Sequence, residues 1–128
     1  MRLFLVDDSR AVRKRLIDLA NQIPNVDVVG TAATPAEAVA GLWLYRPDVA
    51  ILDIHLGHRT AFDLLDTIKP ELPGIDVILI TSSAIDPYRA AAAKRGVRYL
   101  FDKATDIPQL PETLEALAAA RTDSTPAV

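Results

Sequence analysis

The sequence contains no cysteine, which excludes disulfide bonds and thiolate metal ligands. It also lacks any apolar run that approaches the roughly 18 residues a membrane-spanning helix requires. The apolar segment nearest the N-terminus, residues 3–6, is too short for a signal peptide. Together these absences favour a cytoplasmic protein that does not insert into a membrane, and we predict that location.

Positive charge is not in excess, because 14 Lys and Arg stand against 17 Asp and Glu for a net charge of -3. Binding to a phosphate backbone requires a basic face, so no nucleic-acid partner is expected. No internal repeat or low-complexity segment is present. The 128 residues suffice for one domain that buries roughly two-thirds of its unfolded surface. We predict a domain at residues 1–121 and a flexible tail at 122–128.

The stretch Val49-Ala50-Ile51-Leu52-Asp53 places one acid directly after four apolar residues. Such a run, preceded by a Pro-Asp turn, predicts a strand that is buried on both faces of a parallel sheet. Ligands of open α/β sheets bind beyond the carboxyl ends of the strands. Asp53 lies at such an end, where it either contributes to a site or only begins a turn.

Four other short apolar runs alternate with helical patterns along the chain. The predicted strands span residues 3–6, 26–29, 49–54, 77–80 and 99–101. Helices are predicted after the N-cap residue Ser9, after a Thr34-Glu37 capping box, over residues 62–68, from Asp86 to the terminator Gly96, and over residues 108–120. This alternation predicts an α/β fold: a doubly wound five-stranded parallel sheet with helices on both faces. An acid interrupts the run at 26–29, so that strand is expected nearer an edge.

Each candidate for chemistry follows the end of a predicted strand: Asp7 and Asp8, Asp53, Thr81 and Lys103. Parallel strands end at one edge of a sheet, so these side chains are expected to converge. Carboxylates about 4 Å apart repel by about 4 kcal/mol per pair at an effective dielectric near 20, and a cation must offset this repulsion. Ligands that are all oxygen favour Mg²⁺. A carboxylate beside Mg²⁺, a lysine and a hydroxyl has the parts needed to accept a phosphoryl group.

The motifs Leu5-Val6-Asp7-Asp8-Ser9, Leu52-Asp53-Ile54, Ile80-Thr81-Ser82 and Lys103 resemble those of the receiver domain of bacterial two-component response regulators. The resemblance covers residues 2–120. It implies a flavodoxin-like sheet with strand order 2-1-3-4-5. It also implies a single-domain response regulator of the chemotaxis type. Such a protein accepts a phosphoryl group from a sensor histidine kinase or a histidine phosphotransfer protein, and then switches the binding of a downstream protein target.

The resemblance also implies the role of each residue. Asp53 is the expected phosphoacceptor, and the expected Mg²⁺ ligands are Asp7, Asp8 and Asp53. Three side chains would contact the phosphoryl group, with the first as the switch hydroxyl: Thr81, Ser82 and Lys103. The protein would then be no enzyme for an external substrate, although it would promote its own phosphorylation and dephosphorylation. A monomer or weak dimer is expected.

Four positions depart from the family pattern, and one of them is Ala61, where the family usually has glycine. Gly57 stands where the family usually has proline. Ala104 replaces the usual proline after the lysine, and we expect a trans bond there because a non-proline cis bond would cost about 3 kcal/mol. Leu100 occupies the position of the aromatic residue that moves with the switch hydroxyl, leaving Tyr99 or Phe101 as substitutes.

Other functions fit these residues less well. A phosphatase of the haloacid dehalogenase type places its acids as Asp-x-Asp on one side of the chain, whereas adjacent Asp7 and Asp8 point to opposite sides. A flavodoxin-like FMN protein needs a phosphate loop that two aspartates would repel. His55 and His58 are weak support for zinc, since a pair of ligands does not make a site. A pseudo-receiver that binds partners without phosphorylation stays open as the alternative.

Given the resemblance, two surface features are expected. The docking face is expected on the fourth helix, fifth strand and fifth helix, which carry Tyr88, Arg89, Arg95 and Arg98. Residues two beyond Asp53 and two beyond Thr81, namely His55 and Ser83, are expected to set the lifetime of the phosphorylated state. Shielding by the imidazole is favoured over base catalysis, and slow self-dephosphorylation is expected.

Overall fold

The computed structural model describes residues 1–123, with side chains for residues 1–121. The strands are β1 (Arg2–Val6), β2 (Asp27–Ala32), β3 (Val49–Asp53), β4 (His55–Leu56), β5 (Arg59–Thr60), β6 (Asp76–Thr81) and β7 (Tyr99–Asp102). The α-helices are α1 (Arg10–Asn21), α2 (Pro35–Tyr45), α3 (Ala61–Ile68), α4 (Arg89–Lys94) and α5 (Leu110–Asp123). Within this part of the chain, no helix combines the length and apolarity needed to cross a membrane.

Five strands form one sheet in the order β2-β1-β3-β6-β7, and every neighbouring pair is parallel. Numbered within this sheet alone, the order is 2-1-3-4-5, which confirms the predicted fold. The strand predicted near an edge, β2, does lie at one edge. It extends to Ala32, beyond the predicted end at residue 29, because its backbone continues to pair with β1 up to Val6.

A short antiparallel hairpin, β4 with β5, follows β3 and connects it to α3. The sequence pattern does not predict this hairpin, since each of its strands has only two residues. Gly57 lies in its turn with a φ of 62°. Proline holds φ near -65°, so it could not occupy this position in the same conformation. Glycine, which adopts a positive φ without strain, therefore suits this turn where proline would not.

Apolar side chains form two clusters, one on each face of the sheet. The first cluster joins the sheet to α2, α3 and α4, and it includes Phe4, Leu52, Leu42, Leu65 and Ala92. The second joins the sheet to α1 and α5, and it includes Leu5, Ile51, Leu16, Leu110 and Leu114. Successive residues of a strand point to opposite faces, so a strand covered on both faces is apolar throughout. Every residue of β3 is buried for this reason.

The helix starts are largely those that the sequence predicts. Ser9 accepts a hydrogen bond from the backbone N–H of Val12 and caps α1. Thr34 accepts from the N–H of Glu37, but the Glu37 carboxylate accepts from the N–H of Ala33 instead of Thr34. The predicted reciprocal capping box is therefore only half formed at α2. A complete box occurs at α3, where Thr60 and Asp63 bond to each other's backbone.

The last two helices begin later than predicted. A 3₁₀ turn, Asp86–Tyr88, precedes α4, and another, Ile107–Gln109, precedes α5. Gly96, with a φ of 73°, does lie just beyond α4, as its role as a terminator requires. The α5 helix continues to Asp123, so the first two residues of the predicted tail are helical. The rest of that tail, residues 124–128, lies outside the described residues.

The close approach of α2 to β1 leads to a testable prediction about Gly41. A Cβ atom at this position would lie 2.3 Å from Cζ and 2.6 Å from Cε2 of Phe4, whose ring is buried. Gly41→Ala gains roughly 1 kcal/mol of helix propensity, but overpacking a core typically costs about 1–3 kcal/mol. We expect urea unfolding to show a net loss of stability.

Gly74→Ala is the matched control, since a Cβ atom there would meet no heavy atom within 4 Å. Its free energy of unfolding should stay within about 0.5 kcal/mol of the wild-type value. A Gly41→Ala variant that is as stable as this control would contradict the predicted clash.

Candidate functional site

The carboxyl ends of four strands bring the candidate residues to one edge of the sheet. Asp7 follows β1, and Asp53 is the last residue of β3. Thr81 is the last residue of β6, and its carbonyl accepts a hydrogen bond of 2.8 Å from the N–H of Lys103, just beyond β7. Backbone pairing therefore places residues from distant parts of the chain beside one another.

Three carboxylates form a cluster at this edge. Each of Asp7, Asp8 and Asp53 offers an oxygen, and these oxygens lie within 4.8 Å of one another. Asp7 is fully buried and Asp53 is 4% exposed, whereas Asp8 is exposed. Adjacent Asp7 and Asp8 thus contribute to one cluster even though only the first is buried. The acidic cluster predicted from the strand ends is present.

Lys103 connects two of these carboxylates. Its Nζ atom lies 2.6 Å from Asp7 Oδ2 and 3.0 Å from Asp53 Oδ2. The lysine side chain is only 15% exposed, so water screens these two ion pairs weakly. One cation therefore offsets part of the repulsion between two buried acids.

Burial and charge change the pKa values of this pair. Burial raises the pKa of Asp53 above its ordinary value; the contact with Lys103 opposes this rise, and the charge of Asp7 adds to it. For Lys103, burial alone would lower the pKa, but its contacts with Asp7 and Asp53 outweigh burial and raise it. The lysine therefore stays protonated, while Asp53 holds a proton more readily than an exposed aspartate.

The acidic cluster fits a hard divalent cation. Asp7 Oδ2 is buried, and no well-aligned hydrogen bond from a described residue reaches it; its close contact is the ion pair with Lys103. One lysine does not balance three carboxylates, so the cluster retains capacity for further positive charge. Oxygen donors of this kind suit Mg²⁺, which keeps several waters and takes one or two carboxylates from the protein.

The backbone around Asp7 is also held by side chains and amides of α1 and its cap. The N–H of Ser9 donates to Asp7 Oδ1 at 2.8 Å, and Arg13 Nη1 donates to the Asp7 carbonyl at 2.6 Å. The sequence pattern places Arg13 only on the polar face of a helix. Its contact with the site loop depends on how α1 packs, which no local pattern reveals.

The hydroxyl residues after β6 differ in their surroundings. Thr81 is fully buried, and its Oγ1 accepts a hydrogen bond of 3.1 Å from the N–H of Ser83. Ser82 and Ser83 are both exposed. Thr81 is therefore buried at the end of β6, and the predicted phosphoryl contacts of Thr81 and Ser82 both stay predictions.

Neither histidine belongs to a cluster of described side chains that could bind a metal ion. The His55 N–H donates to Asp53 Oδ1 at 3.2 Å, and the His55 ring contacts Tyr88. His58 is exposed in the hairpin turn. Among the described residues, the one group whose ligand atoms could surround an ion is the acidic cluster. The structure therefore gives no support to a zinc site built from His55 and His58.

The aromatic residues of β7 do not replace the one missing at position 100. Leu100 packs against the cluster that contains α4, whereas Tyr99 and Phe101 pack against the cluster with α1 and α5. Neighbouring residues of a strand face opposite ways. The expectation that Tyr99 or Phe101 could substitute for the usual aromatic is therefore wrong, because both rings lie on the other face of the sheet.

In the loop after Lys103, Ala104 forms a backbone hydrogen bond that proline could not form. None of the peptide bonds in residues 1–123 is cis, so the expected trans bond before Ala104 is confirmed. The N–H of Ala104 donates to Asp102 Oδ1 at 2.8 Å. Proline has no N–H and could not form this bond, so Ala104 gives the loop a local hydrogen bond of its own.

Two residues of the predicted docking face are directed elsewhere. Arg95 pairs with Asp66 of α3, and Tyr88 packs beside Phe62 of α3. Their side chains therefore contact α3 and are only partly exposed. Arg89 and Arg98 are exposed, and the docking face itself stays a prediction.

Comparison with known proteins identifies the class that this fold and site define. The model of the family described as the response regulator receiver domain matches residues 3–115. The chain therefore belongs to the receiver domain family of two-component response regulators. Receiver domains of this family accept a phosphoryl group on an aspartate and bind Mg²⁺ through an acidic cluster.

Similar proteins agree with this assignment. The chain is 38% identical over 86 residues to the DNA-binding transcriptional activator DevR/DosR of Mycobacterium tuberculosis, covering 67% of this chain and 40% of that protein. It is 27% identical over 118 residues to a protein-glutamate methylesterase/protein-glutamine glutaminase of Bdellovibrio bacteriovorus, covering 91% of this chain and 33% of that protein. The chain thus spans less than half the length of these relatives.

A solved structure agrees in fold. The response regulator domain of Thermotoga maritima CheB superimposes with a TM-score of 0.80 at 24% identity, covering 98% of both chains. At this level of identity the likeness shows the fold alone.

Proposed function

We propose that Asp53 accepts a phosphoryl group from a sensor histidine kinase or a histidine phosphotransfer protein, and that this changes the binding of a downstream protein. The observation that carries the proposal is the position of Lys103 Nζ between two buried carboxylates, 2.6 Å from Asp7 and 3.0 Å from Asp53. Two buried acids share one lysine, and Asp8 lies beside them. A role in phosphoryl transfer accounts for this arrangement better than a purely structural role does, because a buried ion pair contributes little net stability compared with apolar packing.

Each side chain has a distinct part in this chemistry. An Asp53 carboxylate oxygen attacks phosphorus, a new O–P bond forms, and the bond to the donor breaks with its electron pair leaving on the donor. Lys103 offsets negative charge on the phosphoryl oxygens, and the Thr81 hydroxyl donates a hydrogen bond to one of them. Asp7, Asp8 and Asp53 would hold Mg²⁺, which supplies further positive charge to the same oxygens when bound.

The experiment is incubation with acetyl phosphate, followed by intact-mass spectrometry. We expect a mass gain of one phosphoryl group that requires Mg²⁺ and is lost on treatment with hydroxylamine, as an acyl phosphate should be. A parallel sample with EDTA is the control. A protein that gains no mass in the presence of Mg²⁺ and acetyl phosphate would instead support the alternative, a pseudo-receiver that binds partners without phosphorylation.

The remaining features of the function stay predictions. We predict that the protein acts as a single-domain regulator and is a monomer or weak dimer. We also predict a cytoplasmic location and no nucleic-acid partner. The segment that matches this chain makes up 40% of DevR/DosR, whose name describes DNA binding, and the rest of that protein lies outside the match. Pull-down of partners by phosphorylated wild-type protein and by phosphorylated Arg89→Ala and Arg98→Ala variants would test whether these exposed residues contribute to the docking face, with unphosphorylated protein as the control.

A further inference from the structure

His55 and Tyr88 form a contact across 33 positions of the sequence. The His55 Nε2 and Tyr88 Oη atoms lie 2.8 Å apart and share a hydrogen bond. Their rings meet edge to face, with centroids 5.6 Å apart. Tyr88 ends the 3₁₀ turn before α4, and His55 begins the hairpin after β3. The contact therefore joins the loop beside Asp53 to the start of α4.

His55 is connected to Asp53 through its backbone. Its N–H donates to Asp53 Oδ1 at 3.2 Å, so the residue is held at the rim of the acidic cluster. Its side chain is exposed, and an exposed imidazole without a partner samples several rotamers. The hydrogen bond with Tyr88 selects one of them. It also engages Nε2 of the ring.

Tyr88 is itself fixed to α3. Its ring centroid lies 6.1 Å from that of Phe62, and the Arg95 guanidinium lies over the Phe62 ring, 5.1 Å from its centroid. Asp66 accepts hydrogen bonds from Arg95 at 2.9 and 3.1 Å. This series of contacts gives the Tyr88 hydroxyl a defined position from which to hold His55.

We propose that Tyr88 is a positioning residue that holds the His55 imidazole beside Asp53, where the imidazole shields the phosphoryl group from water. The proposal rests on the proposed function of Asp53. In the step it slows, a water oxygen attacks phosphorus and the Asp53 O–P bond breaks. The carboxylate departs with the electron pair, and inorganic phosphate and a proton are released. Tyr88 touches none of these atoms and acts only through His55.

The test is a double-mutant cycle on the decay of phosphorylated protein. His55→Ala, Tyr88→Phe and the double variant are labelled with acetyl phosphate and Mg²⁺, freed of the donor, and followed by intact mass. Tyr88→Phe keeps the ring beside Phe62 and loses only the hydroxyl. We expect decay about fivefold faster in Tyr88→Phe, the scale of one lost hydrogen bond, and decay at least that fast in His55→Ala, which loses the whole imidazole. The double variant should decay no faster than His55→Ala, because Tyr88 has no effect once the imidazole is absent.

Tyr99→Phe is the matched control, since it removes a phenol hydroxyl from a half-buried ring on the other face of the sheet. It should decay at the wild-type rate. Nuclear magnetic resonance supplies a readout independent of stability, because the chain has two histidines. The ring signals of His55 should shift in Tyr88→Phe, while those of His58 serve as an internal reference and stay unchanged.

Several outcomes would overturn the proposal. Decay at the wild-type rate in Tyr88→Phe would do so, as would slower decay in His55→Ala. Rate effects that multiply in the double variant, or His55 ring signals that do not shift when the Tyr88 hydroxyl is removed, would also contradict it. If label forms at Asp53 but any of these results is found, only the positioning role fails. If no variant and no wild-type protein takes label, the proposed function fails and this proposal fails with it.

Discussion

Asp53→Asn is expected to abolish the Mg²⁺-dependent mass gain completely. The amide is isosteric with the carboxylate but carries no negative oxygen to attack phosphorus. It also removes one of the three charges that the acidic cluster offers to a cation. Intact-mass spectrometry after incubation with acetyl phosphate measures the effect directly.

Asp18→Asn is the control for this variant. Asp18 lies on α1 in a weak exposed pair with Lys14, at 3.9 Å, and its loss should leave labelling unchanged. If Asp53→Asn were labelled as fully as Asp18→Asn, another residue would be the acceptor.

The Asp53→Asn variant should also change how stability in EDTA depends on pH. Because burial raises the pKa of Asp53, the folded state holds a proton that the unfolded state has already released. Between the ordinary carboxyl pKa and the raised one, the folded protein therefore binds more protons, and stability falls as the pH rises. The substituted amide does not titrate, so the stability advantage of Asp53→Asn should grow as the pH rises through this window. Urea unfolding at several pH values tests this, and an advantage that shrinks would contradict the raised pKa.

Lys103→Met is expected to lower the free energy of unfolding in EDTA by about 3 kcal/mol, because removing one partner of a buried ion pair leaves the other charge buried and unpaired. Methionine matches the length of the lysine stem but leaves Asp7 and Asp53 without their shared cation. Saturating Mg²⁺ should recover part of the loss, since it supplies positive charge to the same carboxylates. Urea unfolding with and without Mg²⁺ measures both effects.

Lys14→Met provides the comparison for a lysine outside the site. Its side chain is 80% exposed, and exposed pairs contribute little, so a change below about 0.5 kcal/mol is expected. Equal stability of Lys103→Met and Lys14→Met would show that the buried ion pairs do not hold the fold in the absence of metal.

Patterns within short segments were sufficient to predict the architecture. The apolar run before Asp53 predicted a strand covered on both faces, and every residue of β3 is buried. The Ser9 cap and the Gly96 terminator were likewise predicted from local backbone requirements, and both occur where expected. The hairpin after β3 was not predicted, because two-residue strands carry too few side chains to show an alternating pattern.

Contacts between distant segments were predicted only in part. The acids at the strand ends converge because parallel strands share an edge, so their order along the chain implied the cluster. The contact of His55 with Tyr88 and the pairing of Arg95 with Asp66 depend on how α4 packs against α3. Helical spacing shows which residues share a face, but not which neighbour that face meets.

The sequence by itself determined the five strands of the parallel sheet, their alternation with helices, and the set of residues at the strand ends, because burial and backbone requirements act over a few neighbouring positions. Only the tertiary structure decided that Lys103 lies between Asp7 and Asp53, that Tyr99 and Phe101 face away from α4, and that Tyr88 reaches His55. Those relations depend on the packing of whole helices against the sheet. They are set by the summed shape and charge of many side chains, which no single segment contains.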